Sequence, residues 1–531
     1  MHFPSTSPYG SRRSAVMAEN MVATSHPLAT QAGLTILARG GNAVDAALAT
    51  AITLTMVEPT GNGLGSDGFA ILWDGKELHG MNASGRSPAG WTPERFAGRD
   101  TMPERGWDSV TVPGAVGGWV ALSKRFGRLP FADLFEPAIR YAEGGFPVSP
   151  VIATLWGNGA KLLNNQPGYA DHFMPNGRAP LAGEWFYNPN AAASLHLIAQ
   201  TEGKAFYEGE LAEKIAGDAA RHGAALTVDD MAANTPDWCG TVQAAFDDMD
   251  LHEIPPNGQG IAACMALGML RHTEIRDLAP EDPKALHLMW EAMKLAFRDT
   301  DAYVADPIGM TGVSAADLLN ADYLEQRAKL IDRSRAQDFA SGAPKLGGTV
   351  YLCAADSDGM MVSYIQSNYA GFGSGVVVPG TGIHLQNRGF GFNLTPGHPN
   401  QVAPNKRPFH TIIPGFLMKN NAPEMAFGVM GGPMQAQGHL QMVLRTQIWG
   451  QDVQTAADGP RWRVTDGLGV ACETAMPKAA LQELSDLGHQ IALESPDAAF
   501  GFGGAQLIQK LPGGGYVGGS DPRKDGCAAG F

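Results

Sequence analysis

The chain has 531 residues, of which 44% are hydrophobic and 17% charged, and its net charge at pH 7 is −15. This composition supports a large folded core and excludes a disordered chain. The acidic balance excludes a general nucleic-acid binder, because such a protein needs a basic surface. No run of 18 uninterrupted apolar residues occurs and the first residues lack an apolar signal segment. We therefore expect a cytoplasmic protein with no membrane partner.

The cysteines and the common cofactor motifs also narrow the function. There are five cysteines, an odd number, and they are widely spaced without a C-x-x-C pair, which favours reduced, buried thiols over a disulfide framework or a zinc site. The chain has no phosphate loop of the G-x-x-x-x-G-K-[ST] type and no H-E-x-x-H zinc helix. The GNGLGSDG segment follows a helix and precedes a strand, the reverse of a dinucleotide loop, so it predicts a tight turn. We expect no metal and no organic cofactor.

The first half of the chain begins with a clear helix and a hairpin. Asn42 is placed to cap a helix that runs to about Met56. A glycine-rich turn then leads into an apolar strand from Phe69 to Trp73, which ends at an Asp-Gly turn and is predicted to lie at the edge of a sheet. The segment SVTVPGAVGGWVALSKRFG predicts a strand that passes into a helix, and residues 131–298 are predicted to be mostly helical.

An abrupt change in polarity marks the junction at Thr349. Residues 333–348 are rich in Gly, Ser, Ala and charge, which predicts an exposed linker, and the next twenty residues predict two buried strands joined at Asp358 and Gly359. If the linker were cut before Thr349, the freed α-amino group would be the base for the threonine hydroxyl. From the residues alone, a strand that simply begins at this position remains the more common interpretation.

The same region carries a family resemblance that covers nearly the whole chain. Matching segments include GGNAVDAALA, VEPTGNGLGSDGF, VPGAVGG, EAMKLAFRDTDAYVADP, GGTVYL, FGSGVVVPGTGIHLQN, KRPFHTIIP, GGPMQAQGH and DPRKDG. Together they resemble the γ-glutamyltransferase (glutathione hydrolase) family of N-terminal-nucleophile hydrolases. The resemblance implies an α+β fold, a four-layer αββα sandwich built from two chains of one precursor. It implies self-cleavage between Gly348 and Thr349 into a large subunit, residues 1–348, and a small subunit, residues 349–531.

The resemblance also implies roles for individual residues. Thr349 would be both the autoprocessing residue, attacking the Gly348 carbonyl, and the nucleophile that takes an acyl group from an amide. Ser367 falls where the family has a threonine that contacts the nucleophile's amine. Gly431 and Gly432 match the paired glycines whose N–H groups bind the developing oxyanion, a position that needs close approach without a side chain.

The substrate-binding positions depart from the family pattern. The family's arginine falls at Ser84, with Arg86 two positions away as a substitute. The other predicted substrate-binding residues are Tyr369, Arg388, His410 and Thr411. Arg388 replaces a glutamine and Gly391 replaces the aspartate that holds the glutamyl ammonium. An ammonium buried without that carboxylate costs several kcal/mol, so these replacements favour a small anionic acyl group such as an oxamate-like or dicarboxylic monoamide.

Three functions therefore remain open. The leading one is an autoprocessing amidohydrolase for a small acidic amide, and the second is an ordinary γ-glutamyltransferase or glutathione hydrolase. The third is a binding protein of the same fold that never matures. The expected partners are the amide substrate and the two subunits of one precursor as a heterodimer, with a dimer of heterodimers as a further option. Asp67 is interpreted as a turn-capping carboxylate more readily than as a site residue, and Lys406 and Arg407 as ties between the two chains.

Overall fold

The computed structural model describes residues 14–339, 348–496 and 501–531. Fourteen of the strands in these ranges assemble into two seven-stranded sheets in which all strand pairs are antiparallel. The strands are, in chain order, β1 (Val16–Ala18), β2 (Met21–Thr24), β3 (Asp67–Trp73), β4 (Leu78–Ala83), β5 (Phe146–Pro147), β6 (Trp185–Phe186), β7 (Asp237–Trp238), β8 (Val242–Phe246), β9 (Met249–Glu253), β10 (Gly348–Ala355), β11 (Met361–Tyr369), β12 (Val377–Val378), β13 (Ile383–His384), β14 (Gly415–Lys419), β15 (Ala422–Val429), β16 (Trp462–Val464), β17 (Gly469–Glu473), β18 (Gln490–Glu494), β19 (Ala505–Lys510), β20 (Tyr516–Ser520) and β21 (Cys527–Gly530).

The helices lie mainly before β10 in the sequence. They are α1 (Pro27–Ala38), α2 (Ala43–Val57), α3 (Ala115–Phe126), α4 (Glu136–Gly144), α5 (Pro150–Leu163), α6 (Tyr169–Phe173), α7 (Pro189–Gln200), α8 (Lys204–Tyr207), α9 (Glu210–Arg221), α10 (Val228–Ala232), α11 (Gly260–Leu270), α12 (Pro283–Tyr303), α13 (Ala315–Leu318), α14 (Ala321–Ala328), α15 (Met434–Val443), α16 (Val453–Asp458) and α17 (Lys478–Asp486). None of the helices in the described ranges is long and apolar enough to cross a membrane.

The two large sheets both combine strands from before and after residue 348. The first has the order β1-β20-β19-β15-β14-β9-β8 and the second the order β21-β2-β10-β11-β3-β4-β7. Apolar residues of the two sheets meet in one buried cluster, which includes Phe69, Tyr351 and Phe416. Along β10, Tyr351 and Cys353 enter this cluster, whereas Val350 and Leu352 pack with the helices α1 to α9. This alternation is the two-residue period of a strand buried on both faces.

Helix α2 begins where the sequence predicts. The Asn42 Oδ1 accepts a hydrogen bond from the Asp45 N–H at 3.0 Å, and an Asp45 carboxylate oxygen accepts one from the Asn42 N–H at 3.1 Å, which completes a capping box. The Asn42 Nδ2 also donates to the Phe126 carbonyl at 2.6 Å, so the same side chain joins α2 to the end of α3. Every residue of α2 is buried, so this helix is fully enclosed by its neighbours.

The strand hairpin after residue 348 is confirmed, and three other predictions need correction. The β3–β4 hairpin lies inside its sheet between β11 and β7, so its placement at an edge is wrong. No strand precedes α3, because residues 110–113 make a single backbone-to-backbone bond to another described segment, from the Val112 N–H to the Arg86 carbonyl. The mostly helical region 131–298 also contains the β8–β9 hairpin, whose short strands alternate too briefly to stand out.

The end of the first half is anchored before the predicted cleavage point. Residues 333–339 of the predicted linker are exposed or half-buried, and residues 340–347 lie outside the described ranges. Lys294 donates to the Gln337 carbonyl at 3.2 Å and Arg298 donates to the Phe339 carbonyl at 2.6 Å. All five cysteines are described and none is in a disulfide.

We predict that Asn42→Ala lowers the free energy of unfolding by about 1 to 2 kcal/mol, the range of a lost N-cap, because it also breaks the bond to Phe126. Asn320→Ala is the matched control, since Asn320 caps α14 on the surface and, among the described residues, its side chain bonds only within that helix. Urea denaturation followed by circular dichroism measures both. An equal loss in the two variants would contradict the link between α2 and α3.

Candidate active site

The hydroxyl groups of Thr349 and Ser367 meet at one carbonyl oxygen. Thr349 lies on β10 with 1% of its surface exposed. Its Oγ1 donates to the Gly348 carbonyl oxygen at 2.7 Å, and the Ser367 Oγ donates to the same oxygen at 2.7 Å. The two hydroxyl oxygens are 3.3 Å apart. A carbonyl that accepts two hydroxyl donors is polarised toward nucleophilic attack.

The pairing of β10 with β11 produces this arrangement. Gly348 pairs with Tyr369 and Val350 pairs with Gln366, so the register shifts at Thr349. Because of this irregularity, Thr349 faces Ser367 and not a residue that is directly paired with it across the two strands. The Tyr369 N–H donates to the Ser367 Oγ at 2.8 Å, which leaves the serine proton directed at the Gly348 carbonyl.

Gln435 is a site residue that sequence reasoning missed. Its Nε2 donates to the Thr349 Oγ1 at 3.3 Å, and its Oε1 accepts from the Ile413 N–H at 3.0 Å, which fixes the orientation of the amide. Gln435 lies in the first turn of α15 and is fully buried. The available signal was its place in the GGPMQAQGH segment, four residues after Gly431.

The paired glycines precede the same helix. Gly431 has φ 115° and Gly432 has φ 62°, a backbone region that L-residues with side chains rarely adopt. The Gln259 Nε2 donates to the Gly432 carbonyl at 2.9 Å and also to the Thr411 carbonyl. This amide therefore ties the glycine turn to the segment that carries His410 and Thr411.

Arg388 is almost wholly buried, with 1% of its surface exposed. Its Nη1 donates to the Thr411 Oγ1 at 2.9 Å, and its guanidinium carbon lies 4.7 Å from the centre of the Tyr369 ring. Among the described residues, its Nε and Nη2 have no hydrogen-bond partner. Burial lowers the pKa of Arg388 to about 10, with Asp67 opposing this shift, so the side chain is still charged at neutral pH. An unpaired guanidinium edge of this kind suits a carboxylate.

Asp67 and His410 form a buried pair beside Arg388. Asp67 Oδ1 accepts from the Gly85 N–H at 3.1 Å and the Gly114 N–H at 3.0 Å, and its Oδ2 lies 3.2 Å from the His410 Nε2. The Ile412 N–H donates to the His410 Nδ1 at 3.4 Å, which assigns the proton to Nε2.

Their pKa values follow from this enclosure. Burial raises the pKa of Asp67 to about 6, opposed by the Arg388 charge and the two N–H donors. Burial lowers the pKa of His410 well below its usual range, and Arg388 lowers it further. At neutral pH the pair is therefore a carboxylate hydrogen-bonded to a neutral imidazole.

The side chains of Ser84 and Arg86 bond to other residues. The Ser84 Oγ donates to the Asn82 Oδ1 at 2.7 Å, and Ser84 is buried. The Arg86 side chain is 41% exposed and pairs with Asp306 at 3.2 Å and Asp237 at 3.8 Å. Arg86 thus already has carboxylate partners, and it lines a different surface depression from Tyr369 and Thr411.

Arg407 and Lys406 differ in how they join the two parts of the chain. The Arg407 side chain bonds to the Ser84 carbonyl at 2.8 Å and to Asp237. The Lys406 ammonium bonds instead to the Gln401 carbonyl at 2.9 Å, within the second part, and only the Lys406 backbone bonds to Ser87. Of these two side chains, that of Arg407 therefore makes the expected contact between the two parts of the chain.

A cavity of about 240 Å³ opens beside Tyr369 and Thr411. Tyr369, Thr411 and Gln259 contribute to its wall, together with Pro433, which follows the glycine pair. The remaining lining residues are Phe297, Thr300, Asp301, Val304, Phe390, Gly391, Phe392, Asn393, His398, Asn400 and Phe409. The predicted Tyr369 and Thr411 thus share one cavity, with Arg388 directly behind them.

Comparison with known proteins shows which family the chain belongs to. Residues 29–531 match the gamma-glutamyltranspeptidase family. The chain belongs to this family. It is 36% identical over 529 residues to the glutathione hydrolase-like YwrD proenzyme of Bacillus subtilis, covering 98% of this chain and 100% of that protein. It is 34% identical over 532 residues to the oxamate amidohydrolase proenzyme of Klebsiella pneumoniae, covering 98% of this chain and 99% of that protein.

A solved structure gives the same result for the fold. The crystal structure of cephalosporin acylase from Bacillus halodurans superimposes with a TM-score of 0.95 at 46% sequence identity, covering 100% of this chain and 99% of that one. The chain therefore has the α+β fold of the N-terminal-nucleophile hydrolases and is an enzyme that hydrolyses amide bonds or transfers their acyl groups. The predicted cytoplasmic location remains a prediction.

We predict that Gln435→Met slows both chain cleavage and amide turnover about tenfold, the effect of losing one hydrogen bond to the Thr349 hydroxyl. Gln437→Met is the matched control, because Gln437 is equally buried on α15 but bonds to the Val464 N–H and the Pro433 carbonyl instead. Time courses on denaturing gels and initial rates measure the two effects. Equal slowing in both variants would show that Gln435 acts only through the stability of the helix.

Proposed function

We propose that this protein is an autoprocessing amidohydrolase whose nucleophile is Thr349 and whose substrate is a small acidic amide. The observation that carries the proposal is the Gly348 carbonyl oxygen, which accepts hydrogen bonds from both the Thr349 and the Ser367 hydroxyl at 2.7 Å. In the precursor, the Thr349 Oγ1 attacks the Gly348 carbonyl carbon, and the peptide nitrogen leaves as the new α-amino group. Water then hydrolyses the resulting ester and frees residues 1–348 from residues 349–531.

The mature enzyme would consist of these two chains in one core. Support comes from the sheets, since β2 from the first part lies between β21 and β10 from the second. We accordingly propose a heterodimer and a four-layer αββα sandwich, in which the two sheets face each other and helices cover their outer faces. Cleavage leaves the pairing of β10 with β11 from Val350 onward within one fragment, and of the described pairs only that of Gly348 with Tyr369 then joins the two fragments at this strand end.

In catalysis the freed α-amino group of Thr349 would take the hydroxyl proton as Oγ1 attacks the substrate carbonyl. Ser367 and Gln435 would hold the nucleophile, and the N–H groups of Gly431 and Gly432 would bind the oxyanion. The amine leaves with a proton and an acyl ester forms on Thr349. Hydrolysis by water regenerates the enzyme.

The acidic substrate is inferred from Arg388. Two of its nitrogens lack partners among the described residues, and no described carboxylate lies within ion-pair distance of it. A γ-glutamyl group also carries an ammonium, for which Gly391 offers no carboxylate. A Cβ at Gly391 would lie 2.6 Å from the Phe409 carbonyl oxygen, so an aspartate does not fit there without a backbone shift. We assign substrate binding to Arg388, Tyr369 and Thr411, with His410 as the partner of Asp67.

We predict that Thr349→Ala abolishes cleavage and turnover, whereas Thr349→Ser retains both at reduced rates because it keeps the hydroxyl. Intact-mass measurement after expression and after prolonged incubation checks cleavage, and ammonia release from oxamate checks turnover. Fragments of normal mass from Thr349→Ala would disprove the assignment of the nucleophile.

We predict that Arg388→Gln lowers kcat/KM for oxamate and succinamate about 10- to 100-fold, the range expected when a hydrogen bond to a charged group is lost. The control is Arg86→Gln, which should change kcat/KM less than threefold, by order of magnitude the effect of an exposed ion pair. Activity on γ-glutamyl p-nitroanilide is measured in parallel. Wild-type activity on that compound equal to the activity on the short acids would instead favour a γ-glutamyltransferase.

A further inference from the structure

The cavity beside Arg388 is too large for an acidic primary amide alone. Oxamate has only six non-hydrogen atoms, whereas the cavity volume is about 240 Å³. Ligand cavities bury most of the surface of the molecules that they bind. The cavity therefore has room for a part of the substrate that the small acyl group does not supply.

The lining indicates the chemistry of that part. Five aromatic rings contribute to the wall, those of Phe297, Tyr369, Phe390, Phe392 and Phe409. Phe297 and Phe409 are only half-buried, so apolar ring surface is open to the cavity. Such surface favours aromatic or other apolar groups, which stack on rings and leave water on binding.

The charged residues around the cavity also indicate an apolar group. No lysine or arginine is among the residues that line it, and the one carboxylate, Asp301, is on an exposed residue. A second anion would find no cationic partner in this lining, and a cation would find only the exposed Asp301, where an ion pair contributes little, so the cavity favours an uncharged group. Arg388 lies outside the cavity, behind Tyr369 and Thr411.

This geometry separates the two halves of the substrate. An acyl carboxylate directed at Arg388 occupies the closed end of the site. The leaving amine must exit to solvent, and the cavity is the open end. The cavity adjoins the reacting groups, because Pro433 follows Gly432 and the Tyr369 N–H bonds to Ser367.

We infer that the leaving group of the substrate is an uncharged aromatic or bulky apolar amine, which binds in the cavity between α12 and residues 390–411. This inference rests on the proposed function, since it assumes the acidic acyl group at Arg388. The reaction remains a hydrolysis: Thr349 Oγ1 bonds to the acyl carbon, the C–N bond breaks, the arylamine leaves with a proton, and water cleaves the ester. N-phenyloxamate plus water thus gives oxalate plus aniline.

The test compares oxamate, N-phenyloxamate and N-carboxymethyloxamate as substrates of the cleaved protein. We expect kcat/KM for N-phenyloxamate to exceed that for oxamate by about tenfold or more, the gain from burying a phenyl ring, and the carboxymethyl compound to be the poorest. Aniline and ammonia also differ as leaving groups, and this difference alone changes the ratio of kcat/KM for N-phenyloxamate to kcat/KM for oxamate. The decisive quantity is therefore the change in this ratio between the wild-type protein and the cavity variants.

Two variants alter the cavity from α12. Thr300→Phe fills it, because Thr300 is buried in its wall and its hydroxyl bonds only to the Ala296 carbonyl of the same helix. Phe297→Ser removes a half-buried ring and keeps the experiment valid if Thr300→Phe does not fold. Each should lower the ratio of phenyl amide to primary amide at least fivefold, about the share of one ring contact. Tyr303→Ser is the control, since Tyr303 is on the same helix, 39% exposed, and does not line the cavity.

The outcomes separate this inference from the proposed function. Turnover of oxamate with a ratio that no cavity variant changes overturns the inference and leaves the proposed function standing. Cleaved protein that hydrolyses none of the three amides overturns both. Preference for the primary amide of phenylmalonic acid over N-phenyloxamate would place the aromatic group on the acyl side and overturn the leaving-group assignment.

Discussion

The carbonyl oxygen of Gly348, held between two hydroxyl groups, is the interaction on which the rest of the site depends. It exists because β10 and β11 pair with a shift in register at Thr349, which turns that residue toward Ser367. Neighbouring elements then fix the two hydroxyls: Gln435 contacts Thr349 from α15, and the Tyr369 N–H contacts Ser367. A strained or mobile junction would not hold the Thr349 hydroxyl on one carbonyl, so the buried sheet supplies the alignment.

A second constraint is the distribution of buried charge. Arg388 and Asp67 lie near each other without a direct ion pair, because Asp67 bonds to two backbone N–H groups and to His410. The guanidinium therefore keeps unpaired N–H groups, at the energetic cost that buried charges carry. A protein retains such an arrangement where a ligand completes it, which is why we connect the electrostatics of the core to the proposed acidic acyl group.

Much of the fold could be predicted from local signals. The Asn42 cap, the Asp-Gly turns and the strand hairpin after Thr349 depend on hydrogen bonds and turn preferences of residues close together in the sequence. Short segments of sequence were therefore sufficient to predict them. The β8–β9 hairpin and the interior position of β3 could not be found in this way, because both depend on pairing between distant segments. The site shows the same division. Thr349, Ser367 and Arg388 follow from aligned motifs, whereas the Gln435 amide becomes visible only when α15 is packed against β10. Arg86 looked equivalent to Arg388 in sequence, but Asp306 and Asp237 neutralise it on the surface.

The central claim is that the bond between Gly348 and Thr349 cleaves itself. Intact-mass analysis of freshly purified protein, repeated during incubation without any added protease, tests it directly. We expect the 56.0 kDa chain to be replaced by two fragments, residues 1–348 and 349–531, at a rate independent of protein concentration. A chain that stays intact, or a cut at any other bond, would contradict it.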